Sequence, residues 1–236
     1  MALPQVNTPT YELAVPSTDE KIKYRPFLVK EEKILLIAME AQEQSGILNA
    51  VKDIVKSCTF DKFDVNRAPI FDIEYIFLNI RAKSVGEVST VNLRCPDDNE
   101  TFVKTDIDLT KVDVQLTKGH TNKIELTDEM GMIMTYPTLD SFTDSTTVIN
   151  ASNMLDVIAS CVAQIYDKKG EDVYDAKDST KQEIVDFIES LNSKQFKEIQ
   201  NFFDTSPKLT HTVTIENPKT KVKSDITLTG LNDFFV

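Results

Sequence analysis

Apolar residues recur at three- and four-residue spacing through residues 66–87, NRAPIFDIEYIFLNIRAKSVGE. Ile70, Ile73, Phe77 and Ile80 form one stripe, and Phe71, Tyr75, Ile76 and Leu78 widen it. A helix that is apolar on most sides runs through a core rather than along its surface. Pro69 suits the first turn, where a missing N–H costs nothing. Arg81 and Lys83 are cations at the C-terminal end, where the helix dipole favours them. Gly86 follows and suits a left-handed cap.

The flanking pattern alternates. Tyr11–Val15 and Lys21–Phe27 read as a β-hairpin about a Pro-Ser-Thr-Asp turn, with Pro26 placing the second strand at an edge or ending it. Residues Glu31–Gln44 read as a helix with Ile34, Leu35, Ile37, Ala38 and Ala41 as its apolar face. Ser45-Gly46 is expected to break it, and Ile47, Leu48, Val51, Ile54, Val55 and Cys58 mark a second amphipathic helix. After Gly86 the period falls to two. Val88–Leu93 and Phe102–Leu109 predict a hairpin across PDDNE, Val112–Leu116 a short strand, and Lys123–Leu126 with Met132–Tyr136 another hairpin.

Helical spacing then returns. Val148–Tyr166 carries Leu155, Ile158, Ala159, Val162 and Ile165 on one broad face and is expected to be a helix; residues 167–177 are expected to be a polar loop. Thr180 and Glu183 have capping-box spacing, Ser193 is positioned to cap a further helix, and Pro207 stops it. Thr210–Ile215 and Lys221–Leu228 predict a last hairpin.

One echo runs between the halves. Val103–Thr110 matches Val222–Thr229 at most positions, and Val91-Asn92-Leu93 resembles Val213-Thr214-Ile215, each followed closely by a proline. Two copies of one hairpin unit would account for it; so would chance between strands of similar composition. The expected class is α+β, two helical clusters each packed with antiparallel hairpins. The division is 1–118 (hairpin, three helices, hairpin) and 119–236 (hairpin, three helices, hairpin), with one continuous domain as the alternative.

Composition narrows the function. The 236 residues carry 26 basic and 38 acidic side chains, a formal charge of −12, with no basic run. That disfavours nonspecific binding to nucleic acid or an anionic membrane. Three widely spaced cysteines, Cys58, Cys95 and Cys161, read as reduced thiols rather than a disulfide frame. No apolar run reaches the ~20 residues of a membrane helix, and MALPQVNTPTYEL lacks the pattern of a secretory signal. The expectation is a protein made and used in a cytoplasm, or assembled there into something larger.

Chemistry is sparse. There is no phosphate-cradling glycine motif, and the six glycines give little to build one from. His120 and His211 sit in neither metal nor triad spacing, and a catalytic base needs a positioned partner. Asp97-Asp98-Asn99-Glu100 lacks the ligand spread of a calcium loop. Cys95-Pro96 lacks the second cysteine of a zinc knuckle. No enzyme, metal, cofactor or small-molecule substrate is expected.

YELAVPSTDEKIKYRPFLVKEEKILLIAME, FDIEYIFLNIRAKSVGE, the strand ending in RCPDDNE and the close LTGLNDFF resemble, over about Tyr11 to Phe235, the baseplate hub assembly subunits of T4-like, contractile-tailed bacteriophages, the T4 baseplate-protein family. The resemblance implies a late, non-enzymatic protein that acts in building the central baseplate hub, as an assembly factor or chaperone or as a permanent subunit of the virion baseplate. Its partners would be other hub and tail proteins, met in the host cytoplasm. It also implies paired cysteines at the hairpin turns of some relatives; only Cys95 stands at such a turn here. Expected contact points are Arg81, Lys83, Ser84 and Gly86, where a buried helix emerges into a polar turn, with a plain helix cap as the alternative. Phe234 and Phe235 either dock into their own core or anchor in a partner's pocket.

Overall fold

In the computed structural model, residues 7–41, 44–139, 141, 153–169 and 172–234 are described. Among them are six α-helices and eleven strands in small antiparallel sheets, an α+β fold. The chain divides into two units, Met1–Gln115 with Lys208–Val236, and Leu116–Pro207.

The first unit begins with the hairpin Tyr11–Ala14 (β1) and Lys21–Tyr24 (β2), in which Tyr11 faces Tyr24 and Leu13 faces Ile22. Helices Val29–Glu40 (α1), Gln44–Cys58 (α2) and Ile70–Val85 (α3) follow. Ser45 and Gly46 lie in the first turn of α2, so the expected break comes earlier, with Ala41 as the C-cap of α1. Glycine is tolerated in a first turn, where several N–H groups have no helical partner anyway.

α3 is the central element. Phe71, Ile73, Ile76, Phe77, Leu78, Ile80 and Ala82 are all buried, on every side of the helix. Pro69 is the N-cap rather than the first helical residue, and its carbonyl accepts from Asp72 N and Ile73 N. Asp72 is buried and takes hydrogen bonds from Ser17 N (3.0 Å) and Ser17 Oγ (2.5 Å). These bonds tie the first hairpin turn to α3.

Past α3 come the hairpin Val88–Arg94 (β3) and Phe102–Asp108 (β4) and the short strand Asp113–Gln115 (β5). The last hairpin of the chain, Lys208–Glu216 (β10) and Lys223–Thr229 (β11), belongs to the same unit. β10 lies between β11 and β5, with Leu209 facing Val114. Leu78 and Ala82 of α3, Val91 and Leu93 of β3, Ile107 of β4, and Leu209, Ile215 and Leu228 of the last hairpin share one core. The sequence reading assigns that hairpin to the second half of the chain. Its strands sit in the first unit, because β10 finds its hydrogen-bonding edge in β5. Both hairpins carry a cross-strand threonine–aspartate bond on the exposed face, Thr90 to Asp106 and Thr214 to Asp225, each 2.6 Å.

The second unit holds a four-stranded sheet in the order Lys123–Glu125 (β6), Met130–Met134 (β7), Val162–Asp167 (β8), Val173–Asp175 (β9). Among the described residues, helices Met154–Ser160 (α4), Lys181–Glu189 (α5) and Ser193–Thr205 (α6) accompany it. The helix expected over Val148–Tyr166 is therefore corrected: it ends at Ser160, and its last part is strand β8. Residues 148–152 lie outside the described ones. Val162, Ile165 and Tyr166 suit a strand as well as a helix, and β8 gains backbone partners on both edges. Part of the expected polar loop 167–177 is β9, the outer partner of β8. The Thr180–Glu183 capping box forms, whereas Asn192, not Ser193, caps α6. Gly131 makes a close approach: a Cβ there would lie 2.2 Å from the Tyr166 hydroxyl and 2.8 Å from the Ile124 carbonyl.

Candidate functional site

At the C-terminal end of α3 the chain turns from helix to strand. Ser84 Oγ donates to the Ile80 carbonyl (2.5 Å) and accepts from Phe27 N (2.9 Å), fastening the segment after β2 to the helix. Arg81 Nη1 donates to the Gly86 carbonyl (3.1 Å), and burial pulls the guanidinium pKa down. Lys83 Nζ pairs with Glu87 at 2.5 Å and lies 5.5 Å from the centre of the Tyr11 ring. The Glu87 hydrogen bond raises the Lys83 pKa. Gly86 has φ 140° and ψ 156°, a conformation open to glycine but not the left-handed helical cap expected. Sequence proximity brings these four residues to one corner, and each has a local structural partner or role there.

Phe234 is fully buried in the core of the first unit. Ser89 Oγ donates to its carbonyl at 2.7 Å. Nearby, Glu74 Oε1 accepts from Leu231 N at 3.2 Å, and burial pushes the Glu74 carboxyl up to about 7. Phe235 lies outside the described residues.

The turns of the β3–β4 and β10–β11 hairpins meet. Asn217 Nδ2 donates to both carboxylate oxygens of Asp97 (3.0 and 3.1 Å) and to Asp98 Oδ2 (3.0 Å), and Thr220 Oγ1 donates to Asp97. Hydrogen bonds hold both carboxyls below their usual range, those from Thr220 leading at Asp97 and those from Thr101 at Asp98. Cys95 is buried at the first of these turns. Among the described residues no group of three or more His, Cys, Asp or Glu could hold a metal ion. No described helix is long and apolar enough to cross a membrane.

In the second unit, His120 packs against Tyr136 and Phe202, with ring centres 5.7 and 5.2 Å away. Its Nδ1 lies 2.9 Å from Thr205 Oγ1 and its Nε2 3.1 Å from the Tyr136 hydroxyl. Thr205 Oγ1 already donates to the Asn201 carbonyl (2.7 Å), which leaves it to accept from a protonated Nδ1. Burial lowers the His120 pKa. Both imidazole nitrogens thus face hydroxyl partners in this half-buried site. The Cys58 and Cys161 thiols are pushed up to about 11 by burial, far from the thiolate form that reacts.

The feature that sequence reasoning missed is the outward side of α1. Glu31 is its one buried residue, while Ile34, Leu36, Ile37 and Met39 are exposed. On the inward side, beside half-buried Leu35 and Ala38, lies a polar network: Arg25 Nη2 donates to Glu31 Oε1 (2.9 Å) and to Ser57 Oγ (3.0 Å), and Glu31 Oε2 accepts from Leu28 N (2.7 Å). Leu36 and Met39 carry the signal that could have found it, since they give the helix more apolar surface than one face can bury.

A family model described as T4 bacteriophage base plate protein matches residues 8–236. Neither a curated protein nor a solved structure matches the chain.

Proposed function

Because the chain belongs to the T4 bacteriophage base plate protein family, a family of phage baseplate proteins, we propose that it acts without catalysis, as an assembly factor for the central baseplate hub. The observation that carries the protein-contact part of this reading is α1, whose Ile34, Leu36, Ile37 and Met39 are all exposed, with Leu36 and Ile37 on the side opposite Glu31. The hub and the chaperone role rest on the resemblance of the motifs to hub assembly subunits. The engaged His120 and the high thiol pKa values agree with a non-enzymatic role.

Mass spectrometry of purified mature virions, quantified against known tail proteins, tests the role. Abundance in infected-cell lysate with absence from virions is expected; stoichiometric presence in virions would make the protein a permanent subunit instead. The corner formed by Arg81, Lys83, Ser84 and Gly86 is proposed as a second contact region. Replacing Arg81 and Lys83 by alanine is expected to weaken hub assembly with the melting temperature near wild type, and a large fall in melting temperature would assign them to the fold alone.

A further inference from the structure

We propose that the outward face of α1 pairs with the same face of a second copy of this chain, antiparallel, about a two-fold axis. The inference rests on the reading of α1 as a protein-contact surface and names its partner. Lys33, Leu36, Ile37 and Glu40 are all exposed, and helical geometry of about 100° per residue places them together on the side opposite Glu31. They outline a rhombus, with Leu36 and Ile37 across its waist and Lys33 and Glu40 at its ends, about 10.5 Å apart along the axis.

This arrangement is self-complementary. A two-fold axis through the centre sets Leu36 against Leu36 and Ile37 against Ile37 of the other copy. It also sets Lys33 of each copy opposite Glu40 of the other, giving two ion pairs that flank an apolar centre. Such an isologous contact is the usual form of a homodimer interface. Charge also selects the place: the whole chain carries −12, which repels a second copy, whereas this face holds one lysine and one glutamate. A 12-residue helix is only about 18 Å long, so the contact falls toward the small, weak end of protein interfaces, with association at micromolar rather than nanomolar concentration.

Sedimentation velocity of the full chain across a micromolar concentration series tests this. A concentration-dependent shift from monomer to dimer is expected. Lys33→Glu and Glu40→Lys should each weaken self-association at least tenfold, since each sets like charges opposite at both ends of the pair. The double variant K33E/E40K, and an equimolar mixture of the two single variants, should both restore it. All these positions are exposed, and circular dichroism checks that each variant folds. A wild-type chain that stays monomeric, or a dimer whose stability ignores the charge swaps, overturns the proposal. If the wild type is monomeric while Ile37→Glu abolishes hub assembly in infected cells, α1 meets a different protein: the pairing fails and the contact reading stands. If neither self-association nor assembly responds to Ile37→Glu, both fail.

Discussion

Helices α1 and α3 are both rich in apolar residues, and they meet opposite fates. α3 is buried on every side, from Phe71 to Ala82. α1 buries Glu31 and leaves Ile34, Leu36, Ile37 and Met39 in solvent. The difference lies in what surrounds each. α3 has α2, the hairpins and β10 packed about it, while α1 packs on α2 along one side only, where Glu31, Leu35 and Ala38 turn inward. Apolar content alone thus does not say whether a helix is enclosed by its own chain.

The contrast can be broken from the α3 side first. Leu78→Ala should cost about 3 kcal/mol in denaturant unfolding, because it empties a fully enclosed site. A cost near that of a surface substitution would show that α3 is loosely enclosed. Next, Arg25→Ala leaves Glu31 without its guanidinium partner in a largely enclosed position and should cost roughly 2–3 kcal/mol. If stability is unchanged, the network does not set how α1 sits.

Glu74 sharpens the comparison through pH. Its folded-state pKa of about 7 exceeds the ordinary 4.5, so the folded chain holds a proton that the unfolded chain releases. That contribution is fully present below about pH 4.5 and is lost as pH rises through about 7. Glu74→Gln should therefore stabilise the protein at pH 8, by roughly 2 kcal/mol, and flatten the pH dependence of its melting temperature. Equal effects at about pH 5 and pH 8 would remove the titration argument. The smallest effect belongs to α1: Ile37→Ser should change stability by no more than about 0.5 kcal/mol, as at an exposed site.

Several elements were legible because their causes are local. The Thr180–Glu183 box acts over three residues, the hairpin strands alternate visibly, and Pro207 ends α6 where its ring forbids continuation. The corner at Arg81, Lys83, Ser84 and Gly86 was legible as a transition, although its hydrogen bonds were not. The outward face of α1 was hidden because Ile34 and Ile37, at helical spacing with Leu35 and Ala38, read as one buried stripe, whereas only Leu35 and Ala38 turn inward beside Glu31.

By itself the sequence determined the α+β class, the hairpins, the Thr180 start and the Pro207 stop of helices, and the family, since capping, alternation and turn chemistry act between near neighbours. Only the tertiary structure decided that Val162–Asp167 is a strand, that the last hairpin joins the first unit, and which side of α1 faces outward. Those outcomes depend on partners far along the chain: β8 needs an edge on each side, β10 needs β5, and Glu31 needs Arg25 and Ser57. Local propensity is nearly neutral at such positions, so long-range hydrogen bonds and burial choose among conformations that the sequence leaves close in energy.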